Sequence, residues 1–130
     1  MTVADAETVD TLLAFLTTSC ASCKPFWDML ANTDFTSSLG ARLVVVTPSR
    51  SMEDERRARE LLPAGAYLHM GSETWFEYGI GTSASFVLVR CALDGPEPWE
   101  QAGQIIGSAS ARSPAELVEL VKRWQGGAPN

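Results

Sequence analysis

Apolar and polar residues alternate along this chain in blocks whose period changes in a regular order. Thr11–Thr17 is short and apolar and predicts a buried strand. A helix is predicted from about Cys20 to Ala31, with Pro25 about one turn in, where it either kinks the helix or delays its start. Asn32-Thr33-Asp34 interrupts the pattern, a further helical turn to Leu39 is predicted, and Gly40 is a stop. Arg42–Thr47 reads Arg-Leu-Val-Val-Val-Thr, whose β-branched centre predicts burial on both faces, as in a parallel sheet. Pro48 ends it.

Ser51 is predicted to cap the next helix, with Asp54 three residues on. On that helix Glu53–Arg57 and Glu55–Arg59 are i,i+4 pairs of the favourable order. The cluster Arg56, Arg57 and Arg59 reads as its solvated side. Pro63 closes the helix, and Ala66–His69 predicts a short strand. Ser72 is read as the cap of a brief helix through Tyr78, and Ser85–Cys91 as an apolar strand. Asp94-Gly95-Pro96 marks a turn, and Trp99–Ile106 is expected to return as the hairpin partner. Gly103, Gly107 and Ser108 read as the passage into the last helix. There Ser113 is the cap, Pro114 the first helical residue and Glu116 the partner in a capping box. Leu117, Leu120, Val121 and Trp124 then form one apolar stripe that must dock on a sheet. Gly126-Gly127 end it.

Early crossover helices demand parallel strands, and the late short turn demands antiparallel ones. The expected fold is therefore α/β, with a central mixed sheet flanked by helices on both faces. At 130 residues the chain is expected to form one domain, with loose ends at about 1–10 and 126–130. Hydrophobic content of 45% with 20% charged residues fits a globular protein. A net charge of −6 argues against nucleic acid and anionic membrane surfaces as main partners. No run reaches the roughly 18–20 apolar residues that span a bilayer. The first ten residues carry three acids and no basic residue, unlike a secretory signal. A cytoplasmic setting is the expectation for the chain as it stands. If it is the excised part of an exported protein, the setting is periplasmic or membrane-tethered.

The chemistry-bearing motif is Cys20-Ala21-Ser22-Cys23, placed between a predicted strand and a predicted helix. Two cysteines three residues apart in a first helical turn share one face, so their sulfurs can close a disulfide with little backbone movement. A helix start favours the thiolate that exchange chemistry requires, and Lys24 adds positive charge nearby. Cys20 is then the more exposed nucleophile, and Cys23 the thiol that resolves the mixed disulfide. The third cysteine, Cys91, ends an apolar strand and reads as a buried or edge thiol; His69, between Leu68 and Met70, reads as structural. A Cys₃His zinc site from Cys20, Cys23, Cys91 and His69 is the rival assignment, though its spacing does not match a compact zinc knuckle.

The order of elements and the placement of this motif resemble the thioredoxin fold, and more nearly the TlpA-like and methylamine-utilisation (MauD-like) thiol-disulfide reductases of bacteria. The matching segments are Leu13–Trp27 (LAFLTTSCASCKPFW), Arg42–Thr47 (RLVVVT) and Tyr78–Val89 (YGIGTSASFVLV), in register over about Leu12 to Trp124. The resemblance implies a thiol-disulfide oxidoreductase acting on protein or small-molecule thiols and disulfides. It would need no cofactor beyond an upstream redox partner that resets the dithiol. Ser19, Trp27, Ser83 and Ala84 fall where such proteins line the substrate groove.

Two positions depart from the family. Its cis-proline position falls at Ala84 or Ser83, and a non-proline cis bond costs about 2.5–4 kcal/mol, so a trans peptide is expected. The buried acid of thioredoxins proper is replaced by Ala14, which leaves water, Glu73, Glu77 or Lys24 to accept the resolving thiol's proton. Ser19 stands where thioredoxins proper have tryptophan. These departures keep two alternatives open. One is a redox-weak binding module. The other is metal or iron–sulfur binding through Cys20 and Cys23, between two copies of the protein.

Overall fold

The computed structural model describes residues 8–32, 40–82, 84–92 and 104–126. Five strands form one sheet in the order β3-β2-β1-β4-β5. They are β1 (Thr8–Phe15), β2 (Arg42–Thr47), β3 (Tyr67–Met70), β4 (Ser85–Ala92) and β5 (Gln104–Ser110). The helices are α1 (Lys24–Leu30), preceded by a 3₁₀ turn (Ala21–Cys23), α2 (Glu55–Leu61), α3 (Ser72–Glu77) and α4 (Pro114–Gln125). β1 and β2 pair in parallel, as do β2 and β3. β4 runs antiparallel to both β1 and β5. The expected mixed sheet is thus observed, with a change of direction between β1 and β4.

The two faces follow from strand alternation. Leu12 and Ala14 of β1, Leu43 and Val45 of β2, and Phe86 and Leu88 of β4 belong to one core cluster. Phe26, Trp27 and Leu30 of α1 and Leu117, Val121 and Trp124 of α4 cover them, with Leu61 of α2 at the margin. Leu13, Phe15, Val44, Val46, Val87, Val89 and Cys91 form the opposite cluster, covered by Trp75 of α3 with Tyr78 and Ile80 beyond it. Phe15 meets Trp75 edge-on at 5.4 Å, and Phe26 meets Phe86 at 5.1 Å across the other layer. Burial on both sides accounts for the unbroken apolar run of β2.

Several boundaries differ from the sequence expectation. β1 begins at Thr8, within the expected loose terminus, because β4 pairs with it along its whole length, from Thr8–Ala92 to Phe15–Ser85. Asp54, not Ser51, caps α2: its Oδ1 accepts the Arg56 and Arg57 amides at 3.0 and 3.3 Å. Ser51 lies in a turn closed by the Met52 amide on the Ser49 carbonyl. Ser72 is the first residue of α3, and Gly71 occupies its cap. β3 is shifted one residue, to Tyr67–Met70.

β5 lies later than the expected Trp99–Ile106. Gly107 and Ser108 are strand residues, paired with Leu88 and Val87, and a bulge interrupts the ladder between Leu88 and Val89. The expected turn at Asp94-Gly95-Pro96, the helical turn to Leu39 and Ser83 lie outside the described residues. α4 matches its expected start: Ser113 Oγ accepts the Glu116 amide at 3.2 Å, while Glu116 reaches back to the Arg112 amide at 2.8 Å.

Candidate functional site

β1 delivers the chain to the site at the sheet's centre, and the loop after it carries Thr17, Thr18 and Ser19 to the cysteines. Cys20 has extended backbone geometry (φ −88°, ψ 117°) and stands immediately before the 3₁₀ turn. The Cys23 amide donates to the Cys20 carbonyl at 3.1 Å, closing one turn between the two cysteines. Pro25 lies in the first turn of α1, where its missing N–H costs no internal bond, so it delays the α-helix rather than kinking it.

Burial separates the two thiols. Cys23 is 0% exposed and sits in the core cluster with Ala14, Phe26 and Ala84. Cys20 is half-buried, and its Sγ lies 3.0 Å from the Ser22 hydroxyl. A cavity of about 170 Å³ opens beside Cys20. Thr18, Ser19, Lys24, Trp27 and Asp28 line it, together with Arg57 and Leu61 from α2. Trp27 is 3% exposed, and its indole Nε1 donates to the Thr17 carbonyl at 3.1 Å. Trp27 thus lines the cavity while its N–H holds the loop before Cys20. Lys24 contributes charge at the rim, where it is ion-paired with Asp28 at 3.2 Å.

The expected groove residues divide. Ser19 and Trp27 line the cavity with Cys20. Ala84 is 5% exposed and packs in the cluster that holds Cys23. Its carbonyl accepts the Ala111 amide at 3.3 Å, tying the start of β4 to the end of β5.

The sheet decides among the other chemical groups. Cys91 belongs to the cluster on the face opposite Cys20 and Cys23, so the two sets cannot meet around one ion. His69 bonds the Thr74 hydroxyl through Nε2 at 3.0 Å, as a structural histidine should. These placements remove the four-ligand site that sequence spacing left open. Among the described residues no group of three potential metal ligands occurs. Glu73 and Glu77 are carried by α3, on the face away from Cys23, and so are withdrawn as acceptors of its proton. Ala14 is fully buried in the cluster that holds Cys23, so β1 supplies no acid at that position.

Two residues near the site were not evident from the sequence. Arg57, read as part of a solvated face, lines the Cys20 cavity. Glu53, expected to pair with Arg57 on a helix, lies before α2 and accepts both the backbone amide (2.8 Å) and the hydroxyl of Thr18. No local signal could reveal a contact spanning 35 residues.

No protein-family model matches the chain, and no curated protein sequence does. Solved structures are similar over most of its length. StoA from Bacillus subtilis is 22% identical, with a TM-score of 0.60, covering 90% of this chain and 82% of that one. A putative thiol:disulfide interchange protein DsbE from Chlorobium tepidum is 15% identical, with a TM-score of 0.66, covering 92% and 79%. A secreted Mycobacterium tuberculosis disulfide oxidoreductase homologous to E. coli DsbE is 16% identical, with a TM-score of 0.61, covering 88% and 81%. The fold is thioredoxin-like.

Proposed function

We propose that this protein is a thiol-disulfide oxidoreductase in which Cys20 attacks and Cys23 resolves. The observation that carries the proposal is the unequal exposure of two cysteines one turn apart: the first opens on a cavity, and the second is sealed in the core. A substrate disulfide can approach Cys20. Cys23 is reached only through the bond that Cys20 makes.

In the reductive direction the Cys20 thiolate attacks one sulfur of the substrate disulfide. A mixed disulfide forms, and the substrate's other sulfur leaves as a thiolate. Deprotonated Cys23 then attacks the Cys20 sulfur, forming the Cys20–Cys23 disulfide and releasing the second substrate thiol. Two electrons pass to the substrate, and an upstream dithiol partner returns the pair to its starting state. The reverse sequence oxidises a substrate dithiol. With Ala14 in the cluster that holds Cys23, water entering past Cys20 takes the resolving thiol's proton; the Lys24 ammonium, ion-paired with Asp28, is already protonated and cannot accept it.

The substrate is a protein or small-molecule thiol or disulfide small enough at its sulfur to enter a cavity of about 170 Å³. Among the described residues no helix is long and apolar enough to cross a membrane. The secreted nature of the Mycobacterium tuberculosis neighbour supports an extracytoplasmic setting over the cytoplasmic one expected from the sequence.

The proposal is tested by trapping. Cys23→Ser should accumulate mixed disulfides through Cys20 with an added peptide disulfide, and Cys20→Ser should not. Equal trapping by both variants would overturn the assigned roles. A second reading, a binding module with little redox activity, draws on the apolar positions Ala14 and Ala84 around Cys23. It predicts that neither variant traps.

A further inference from the structure

Cys20 stands on a loop, and a loop presents a nucleophile well only if something fixes it. Residues 17–19 leave β1 after Phe15 and belong to no regular element. They are gripped from two sides. Trp27 of α1 donates to the Thr17 carbonyl at 3.1 Å. Glu53, from the turn before α2, takes both donors of the next residue on one oxygen, the Thr18 amide at 2.8 Å and the Thr18 hydroxyl.

Glu53 pays no part in the cap of α2, which Asp54 supplies, and it lies outside the Glu55–Arg59 ion pair at 2.9 Å. Its described partner is the loop that carries Cys20. Thr18 itself lines the cavity beside Cys20. We infer that Glu53 is a positioning residue for the attacking thiol: through Thr18 it fixes the loop that sets where Cys20 points.

The inference rests on Cys20 being the attacking thiol. Hydrogen bonds to a charged acceptor are stronger than neutral ones, and one carboxylate oxygen serving two donors holds both the backbone and the side chain of Thr18. Losing the acceptor frees Thr18 on the α2 side, while the Leu16 amide on the Val46 carbonyl at 3.2 Å and the bond from Trp27 to the Thr17 carbonyl still hold the start of the loop. Misplacement of a reacting atom by about 1 Å can cost on the order of 10²-fold in rate. A loop still held at Thr17 should lose less.

The test measures the second-order rate of mixed-disulfide formation at Cys20 with a peptide disulfide, and the equilibrium of the dithiol with glutathione. Glu53→Ala is expected to slow the rate about tenfold and to change the equilibrium constant severalfold, where tenfold corresponds to about 30 mV. Glu53→Gln keeps an acceptor oxygen and should return both to within about twofold of the parent. Thr18→Val loses the hydroxyl bond and keeps the amide bond, so it should fall between. Added to Glu53→Ala, it should slow the rate no further. A purely structural role would lower the unfolding midpoint of Glu53→Ala and leave rate and equilibrium unchanged, which would overturn the inference. So would a Glu53→Gln protein as slow as Glu53→Ala, because charge and not position would then be the cause. If Glu53→Ala does not fold, an unaltered rate in Thr18→Val together with a slow Glu53→Gln overturns it equally. A parent protein with no Cys20-selective reaction would refute the functional reading itself, which separates the two failures.

Discussion

Gly107 lies in the middle of β5, opposite Leu88, where a side chain would point at the indole of Trp124. A Cβ added there would stand 2.2 Å from Trp124 Cδ2 and Cε2 and 2.4 Å from Cγ. Carbon atoms pack at about 3.5–4.0 Å, so the indole would have to withdraw by more than about 1 Å. It has little room to do so, being 3% exposed and packed with Leu117 and Val121 in the cluster that also holds Cys23. Overpacking a core costs about 1–3 kcal/mol, and losing a tryptophan's packing outright costs about 3–5 kcal/mol. Gly107→Ala should fall where these ranges meet, at about 3 kcal/mol. With a urea m-value of about 2 kcal/mol/M, the unfolding midpoint should drop by about 1.5 M. Trp124→Leu should make room, so that the double variant is at least about 1 kcal/mol more stable than the sum of the single losses implies. A Gly107→Ala loss below about 0.5 kcal/mol, or an additive cycle, would refute the packing argument.

Asp54→Ala should cost about 1 kcal/mol in urea unfolding, because it removes the acceptor for two amides at the start of α2, whereas Ser51→Ala should cost almost nothing. Tyr78 is pushed up to about 12, first by burial and then by the charges of Cys91 and Glu77. A phenol raised in the folded state contributes stability that is complete below its unfolded pKa of about 10 and lost as pH climbs through the folded value. Absorbance at 295 nm should therefore show one tyrosine still protonated at about pH 11, with stability falling from about pH 10 upward; full ionisation near pH 10 would contradict the burial. Arg57 at the cavity should favour anionic disulfides, so Arg57→Glu should slow exchange with a carboxylate-bearing disulfide severalfold at low salt and leave a neutral one unchanged. Equal slowing of both would count against an electrostatic role.

The strands were legible where burial is two-sided. β2 shows this best, since its run of valines has no polar face to obscure its limits, and it spans Arg42–Thr47 as expected. The pair Cys20 and Cys23 was legible because a local spacing encodes it. What escaped was set at a distance. Gly107 resembles a turn residue in sequence, and only Trp124, arriving from the last helix, explains a glycine within a strand. Ser51 and Asp54 are both competent caps by residue type, and the cap is the one whose carboxylate accepts two amides of the first turn of α2. Cys91 and His69 belonged to a conceivable metal set until the sheet placed Cys91 on the face away from Cys20 and Cys23.

The proposed function requires Cys20 and Cys23 to act as one reversible couple. The direct measurement is equilibration of the protein across a series of glutathione redox buffers, followed by acid quench, alkylation and mass analysis of the cysteine peptides. The expected result is a single two-electron transition in which Cys20 and Cys23 lose alkylation together while Cys91 stays reactive only after unfolding. Cys20 and Cys23 both remaining alkylatable across the whole series, with no transition, would contradict it.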